Sequence, residues 1–261
     1  MAKEKNTPKA DETAVTIGGE KFIVPIALIL VAVIVAVIIS SGNKKSPNQD
    51  ETSVEGSTEE SSDYGDYSDY ITEGVSSNID DDPYLGNKDT AKVAVIEFSD
   101  YLCYYCYRHT VQVMPDILSS YVDTGKAIYV FRDLQIHGEE AEKRAEIGEC
   151  VNEVAGVEKF VEYHEKMKVV QFEDGEDDPD IYAIVDDLGV DSERVKACYD
   201  SGKYSDEVLA DADDANSIGI TGTPGFVVGK LNEDGSVDGL YISGALPFET
   251  FQIVIDGLLK E

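Results

Sequence analysis

The pair Cys103-Tyr104-Tyr105-Cys106 constrains this chain more than any other feature. It follows the apolar run Val93-Ala94-Val95-Ile96-Glu97-Phe98 after a short turn, and the residues beyond it read as a helix. A strand, a turn and a Cys-x-x-Cys that opens a helix form the context of a redox motif, not merely its spacing. At a helix N-terminus, unpaired N–H groups and the macrodipole stabilise a thiolate on the first cysteine. A thiol with a lowered pKa is a ready nucleophile and a good leaving group. The same spacing would serve as half of a zinc site, but such a site needs four ligands and the sequence holds no second Cys-x-x-Cys. No metal is therefore expected.

Charge and hydropathy divide the rest. The 261 residues carry 53 acidic against 21 basic side chains, a formal charge of −32. Phosphate backbones would be repelled, which excludes a non-specific nucleic-acid binder. Residues 22–39, from Phe22 to Ile39, hold no charge. As a helix they would span roughly 27 Å, enough to cross a bilayer. The run is longer than the core of a cleaved signal peptide, so an uncleaved anchor is expected. Lys3, Lys5, Lys9 and Lys21 precede it and Lys44 and Lys45 follow. The lysine bias puts a tail, 1–21, in the cytoplasm and the C-terminal bulk outside the cell membrane. From Ser46 to Leu85 there are twelve Asp or Glu and no Lys or Arg, with the low-complexity stretch Asp63-Tyr64-Gly65-Asp66-Tyr67-Ser68-Asp69-Tyr70. Such a composition predicts a disordered linker over 40–85.

The globular part, 86–261, opens with a strand over 92–98. The motif helix runs from Cys103 to about Val122, with a kink predicted at Pro115. A second strand covers 127–132, and helices follow over 139–154, 157–169, 180–188, 191–199 and 205–217. Two short strands around the turn Asn232-Glu233-Asp234-Gly235 and a helix opening at Pro247 close the chain. Parallel strands joined by a helix indicate an α/β class, and the final hairpin makes the sheet mixed.

Glu97-Phe98-Ser99-Asp100-Tyr101-Leu102-Cys103-Tyr104-Tyr105-Cys106 resembles the active-site segment of DsbA-like thiol–disulfide oxidoreductases. Thr221-Gly222-Thr223-Pro224-Gly225-Phe226 resembles their cis-proline loop, and Phe131-Arg132-Asp133-Leu134, Tyr163-His164 and Gly244-Ala245-Leu246-Pro247 also resemble that family. The resemblance implies a thioredoxin fold with a helical insertion at about 133–217. It implies a cis proline, Pro224, facing the cysteine pair, with the Thr223 backbone turned toward substrate. One departure stands out: Tyr occupies both positions between the cysteines, where the family often has Pro or His. The direction of catalysis therefore stays open.

Within that frame Cys103, first on the helix, is the expected exposed nucleophile, and Cys106, one turn in, resolves the mixed disulfide. Glu97 interrupts an apolar strand, so a buried carboxylate there could exchange protons with Cys106. Together with Thr223, the tyrosines Tyr101, Tyr104 and Tyr105 are the expected substrate-binding residues. His109 is expected to be a solvent or packing residue, and His137 and His164 scaffold or surface groups. The acidic run 173–178 lacks an EF-hand pattern and reads as a solvated loop. With Cys103 and Cys106 paired, Cys150 and Cys198 remain for a structural disulfide, favoured by an extracytoplasmic location.

The expected protein is a membrane-tethered, extracytoplasmic thiol–disulfide oxidoreductase. It needs no cofactor beyond its redox-active cysteines. It acts on cysteine-containing secreted or membrane proteins and is recycled by a membrane redox partner. The alternatives are a reductase or isomerase of the same fold, or a non-enzymatic tethered peptide or copper chaperone, for which Met114 and His109 would be the nearby ligands.

Overall fold

In this computed structural model, residues 65–176 and 178–260 are described. The expected cytoplasmic tail 1–21, the anchor 22–39 and the linker as far as 64 lie outside the described residues. Among the described residues, no helix is long and apolar enough to cross a membrane.

A 3-10 turn, Gly65–Tyr70, leads into β1, Ile71–Asn78, and a two-residue strand follows, β2, Tyr84–Leu85. Both lie inside the segment read from sequence as linker, so that boundary is corrected. β1 pairs antiparallel with a later strand through seven register positions, interrupted between Glu73 and Val75. Gly74, at φ +74°, supplies the left-handed residue of this bulge. Only Ile71 and Val75 pack against the core, and most of the strand is exposed. Its order comes from the ladder rather than from its own hydrophobicity, which is why composition hid it.

β3, Val93–Ser99, is buried on both faces along its whole length, as a central strand between two helical layers must be. The motif helix α1, Tyr104–Gln112, ends at Val113, whose φ −121° and ψ −47° break the helix. α2, Met114–Ile117, restarts with Pro115 near its N-terminus and passes into a π turn over Leu118–Val122. The Pro115 ring would clash with the carbonyl four residues back, so a continuous helix over 103–122 is not possible without this kink. β4, Ala127–Asp133, runs parallel to β3. Then come α3, Glu139–Ala155; α4, Val157–Val169; α5, Ile181–Asp187; α6, Ser192–Asp200; and α7, Ser205–Ser217. The hairpin β5, Gly225–Leu231, and β6, Ser236–Ser243, precedes α8, Phe248–Leu258.

The mixed six-stranded sheet has the order β1-β6-β5-β3-β4-β2. Alternation along β3 sorts the core. Val93 and Val95 face a cluster with Met114, Ile117, Phe226 and Phe251. Ala94, Ile96 and Phe98 face the opposite cluster, with Ile128, Val130 and Ala215. The insertion has a core of its own around Ile147, Val151, Met167, Val185 and Val195. This is a thioredoxin-like α/β fold with a helical insertion.

Candidate active site

Cys103 caps α1, with extended backbone angles, and Cys106 lies one turn inside. Both are free thiols. Cys103 Sγ lies 3.3 Å from the Thr223 carbonyl oxygen, and the Thr223–Pro224 peptide is cis. Two segments 120 residues apart in sequence thus meet at one sulfur.

The Cys103 pKa falls to about 5. The Cys106 thiol, hydrogen-bonded to the Cys103 sulfur, is the largest cause, and the side chain of Thr223 and the backbone amides of Cys106 and Tyr105 add to it, against the opposing effect of burial. These amides are the unpaired donors of a helix start. Burial and the hydrogen bond to Cys103 push the Cys106 thiol well up. Two chemically identical thiols therefore differ sharply: one is a thiolate at neutral pH, and the other holds its proton. The expected exposure of Cys103 needs correcting, since it is only 5% accessible. Its sulfur is held against Thr223 rather than on a free surface.

Glu97 is fully buried. Tyr129 donates to its Oε2 at 2.6 Å, and His109 Nε2 lies 3.0 Å from the same phenol oxygen. Glu97 Oε1 and His109 Nδ1 have no hydrogen-bond partner. His109 is not a solvent residue. Burial lowers its pKa to about 4, and its ring centroid lies 4.4 Å from that of Phe226. Met114 is fully buried too, so both candidate copper ligands are committed to the core.

Asp100, in the turn before the motif, pins the neighbouring loop. Its carboxylate accepts from the backbone of Leu102, Ile136 and His137 and lies 2.8 Å from His137 Nδ1. Its own amide donates to Cys106 Sγ at 3.5 Å. Lys168 of α4 is fully buried and reaches Ser99, Thr110 and His164. Sequence reading missed Asp100, Tyr129 and Lys168. A signal for Lys168 existed: at i+8 from Phe160 and i+4 from His164, it lies on the buried face of its helix.

The three tyrosines divide. Tyr104 and Tyr105 are 55% and 54% exposed and meet edge to face. Tyr101 is buried instead, against Tyr163 and His164, so it cannot touch a substrate, and its expected role is corrected. Gly148 makes room for it, because a Cβ there would lie 2.7 Å from the Tyr101 hydroxyl. Beside the sulfur lies a cleft of ≈ 830 Å³, lined by Thr223, Tyr105, Arg108, Leu246, Phe248 and Tyr67 among others. Away from the site, Cys150 and Cys198 form a disulfide joining α3 to α6.

A family model described as "Thioredoxin" matches residues 78–247. Among curated proteins, a putative protein-disulfide oxidoreductase of Rickettsia felis is 27% identical over 188 residues, which is 70% of this chain and 62% of that protein. The disulfide bond formation protein D of Bacillus subtilis is 28% identical over 156 residues, which is 58% of this chain and 69% of that protein. The chain thus spans between three-fifths and seven-tenths of the length of these relatives. Among solved structures, oxidised BdbD from Bacillus subtilis superposes with a TM-score of 0.59 at 23% identity, covering 73% of this chain and all of that one. Wolbachia pipientis alpha-DsbA1 gives 0.60 at 23% identity, covering 70% and 92%. At that identity these likenesses bear on the fold.

Proposed function

The chain belongs to the thioredoxin family, and on that premise we propose that it is a DsbA-like thiol–disulfide oxidoreductase that donates the Cys103–Cys106 disulfide to cysteine-containing proteins. The observation that carries this reading is the placement of the two sulfurs, Cys103 at the start of α1 against the cis Thr223–Pro224 loop and Cys106 fully buried one turn in, an asymmetry that holds Cys103 at about 5. A thiolate this stable favours the reduced pair, and a pair that prefers to be reduced is a strong oxidant of others. That favours donation over the reductase and isomerase alternatives.

In the forward cycle a client thiolate attacks Cys103 Sγ in the oxidised pair. The Cys103–Cys106 bond breaks and its electron pair leaves on Cys106, which takes up a proton. A second client thiolate then attacks the client sulfur of the mixed disulfide and releases Cys103 as a thiolate. The client loses two electrons and the motif gains them. Glu97 lies on the strand beneath Cys106 and serves as the proton donor and acceptor for that sulfur. Thr223 and the exposed ring of Tyr105 line the cleft where an extended client segment lies, and Tyr104 stands beside Tyr105. Reoxidation requires a redox partner, which we place in the membrane. The uncharged run from Phe22 to Ile39 and the lysines before it support a single-pass anchor with the catalytic domain outside the cytoplasm.

The test is equilibration of the purified protein with reduced and oxidised glutathione, followed by mixing the oxidised form with reduced, unfolded ribonuclease A. A potential above about −180 mV, with disulfides appearing in the ribonuclease, is expected. A potential near that of thioredoxin, about −270 mV, would overturn the donor direction.

A further inference from the structure

Lys168 is fully buried, and sulfur exchange as described above makes no use of it. Its amine is 2.8 Å from Ser99 Oγ, 3.2 Å from Thr110 Oγ1 and 2.6 Å from His164 Nε2. A lysine ammonium has three donors, and three acceptors meet them here. Each acceptor ties the amine to a different element. Ser99 ends β3, Thr110 is on α1, and His164 is one turn earlier on α4. A buried cation held this way has a fixed position, whereas an exposed one would sample many.

The position matters because of α1. Its buried face carries Cys106, His109 and Thr110, spaced i, i+3 and i+4, so these side chains are neighbours. His109 leans toward Tyr129 and Glu97, and Thr110 toward Lys168. On β3, Glu97 and Ser99 are two residues apart and so share the face beneath α1. The resolving sulfur thus shares its helix face with the two side chains that reach these groups, His109 through Tyr129 to the Glu97 carboxylate and Thr110 directly to the Lys168 amine. Burial in a medium of low dielectric leaves both fields poorly screened.

We propose that Lys168 is a positioning residue for the disulfide exchange, its locked ammonium stabilising the Cys106 thiolate as that sulfur leaves or attacks. The proposal rests on the reading of the cysteine pair as an exchange site, but not on the direction of exchange. When a thiol attacks Cys103, the electron pair of the broken S–S bond departs on Cys106 toward Lys168. In reclosure, the Cys106 proton passes to Glu97, its sulfur attacks Cys103, and the thiol that was bound there leaves as a thiolate. The ammonium lowers the barrier both ways without itself transferring a proton.

The other titratable groups around Cys106 are Cys103 and His109 on its own helix, Glu97 on β3, Tyr129 on β4, His164 on α4, and Asp100 and Tyr101 in the preceding turn, where the Asp100 amide donates to the Cys106 sulfur. Burial holds both histidines neutral at pH 7 and keeps the Tyr101 and Tyr129 phenols protonated. Burial is the largest influence on the Cys106 thiol and raises its proton affinity, the hydrogen bond to Cys103 and the charge of Glu97 raise it further, and Lys168 opposes them.

The test uses reduced glutathione as the attacking thiol on the oxidised protein. Acid quenching and mass spectrometry give the rate of opening and the rate at which Cys106 closes the glutathionyl adduct on Cys103. In Lys168→Met both rates should fall about tenfold at pH 7. The pH profile of closure should move up by about one unit, and Lys168→Arg should retain most of the wild-type rate. Ser99→Ala, which keeps the charge but removes one tether, should show a smaller change of the same sign. It serves as the variant of record if Lys168→Met does not fold. Unchanged rates and an unmoved pH profile in a folded variant would overturn the proposal. A wild-type potential near that of thioredoxin, with the Lys168 effects present, would sink only the donor direction and leave this inference standing.

Discussion

Tyr129 donates its phenol proton to Glu97 Oε2 across 2.6 Å, between the two parallel strands at the centre of the sheet. The other oxygen of Glu97, Oε1, is buried and without a partner. One oxygen is therefore anchored, and the other is the one through which the proposed proton transfer to Cys106 would run.

Tyr129→Phe removes the anchor and leaves a second carboxylate oxygen unsatisfied. Losing one partner from a buried polar pair costs about 1–3 kcal/mol. Denaturation of the oxidised variant should show a loss in that range. Glu97→Gln should slow turnover while leaving the first attack at Cys103 intact. A Glu97→Gln protein with wild-type turnover would remove the proton-transfer role of the carboxylate.

The Cys103 thiolate should titrate near pH 5. Alkylation by iodoacetamide, which needs the thiolate, should hold its rate down to about that pH and fall below it. The group also contributes to the stability of the reduced protein. Its folded pKa, about 5, lies below the ordinary thiol value of 9.0. The contribution is therefore complete above pH 9, shrinks as pH falls, and is gone below about 5. Oxidation removes the group. The excess stability of the reduced over the oxidised protein should thus shrink between pH 9 and 5, as paired thermal melts will show.

Cys150 and Cys198 are 48 residues apart in sequence and bridged. On the chain-entropy estimate, a loop of that length is worth about 4 kcal/mol against the unfolded chain. A Cys150→Ser, Cys198→Ser double variant should lose stability on that order by urea titration, while thiol reactivity at Cys103 is unchanged. A loss under about 1 kcal/mol would mean the helices α3 and α6 hold together without it.

How far the sequence could be read follows from where each signal resides. The Cys-x-x-Cys, Thr223-Pro224 and the buried run of β3 are local patterns, and each places its element on its own. β1 has no such pattern, because an edge strand stabilised by the ladder of β6 needs only Ile71 and Val75 to face inward. The burial of Tyr101 also depends on contacts remote in sequence, with Tyr163 on α4 and the missing side chain of Gly148. The same holds for Lys168, whose three acceptors come from three elements. A charged residue in a helix reads as solvent-facing until the packing partners are known.

The acidic cluster under β4 should set the pH dependence of the fold. Burial raises the pKa of Asp211 to about 6 and that of Glu207 to about 7. A carboxyl raised in the folded state binds its proton more tightly there, so its contribution is lost as pH rises through these values. The oxidised protein should therefore lose stability between about pH 4 and 8. Arg132, buried among Asp80, Asp82, Asp211 and Asp214, is the cation that offsets this cluster. Arg132→Met should destabilise by about 3–5 kcal/mol, since it strands buried charge, and less at pH 5 than at pH 8. Equal losses at the two pH values would show that these carboxyls do not titrate in this range.

The final prediction separates the two motif sulfurs. Cys103 has the depressed pKa, the Thr223 contact and what access there is; Cys106 is fully buried with a raised pKa. Only the first should form an intermolecular bond. Incubated with a disulfide-bonded client, Cys106→Ser should accumulate a covalent adduct, because Cys103 attacks and nothing inside the protein resolves the product. Cys103→Ser should form none, since the remaining thiol is protonated at neutral pH and enclosed by α1, β3 and α4. Non-reducing electrophoresis after an acid quench reads both outcomes, and peptide mapping fixes the sulfur involved. Adducts through Cys106 in the Cys103→Ser protein, formed as fast as those through Cys103 in the reverse variant, would contradict the asymmetry on which donation by this site depends.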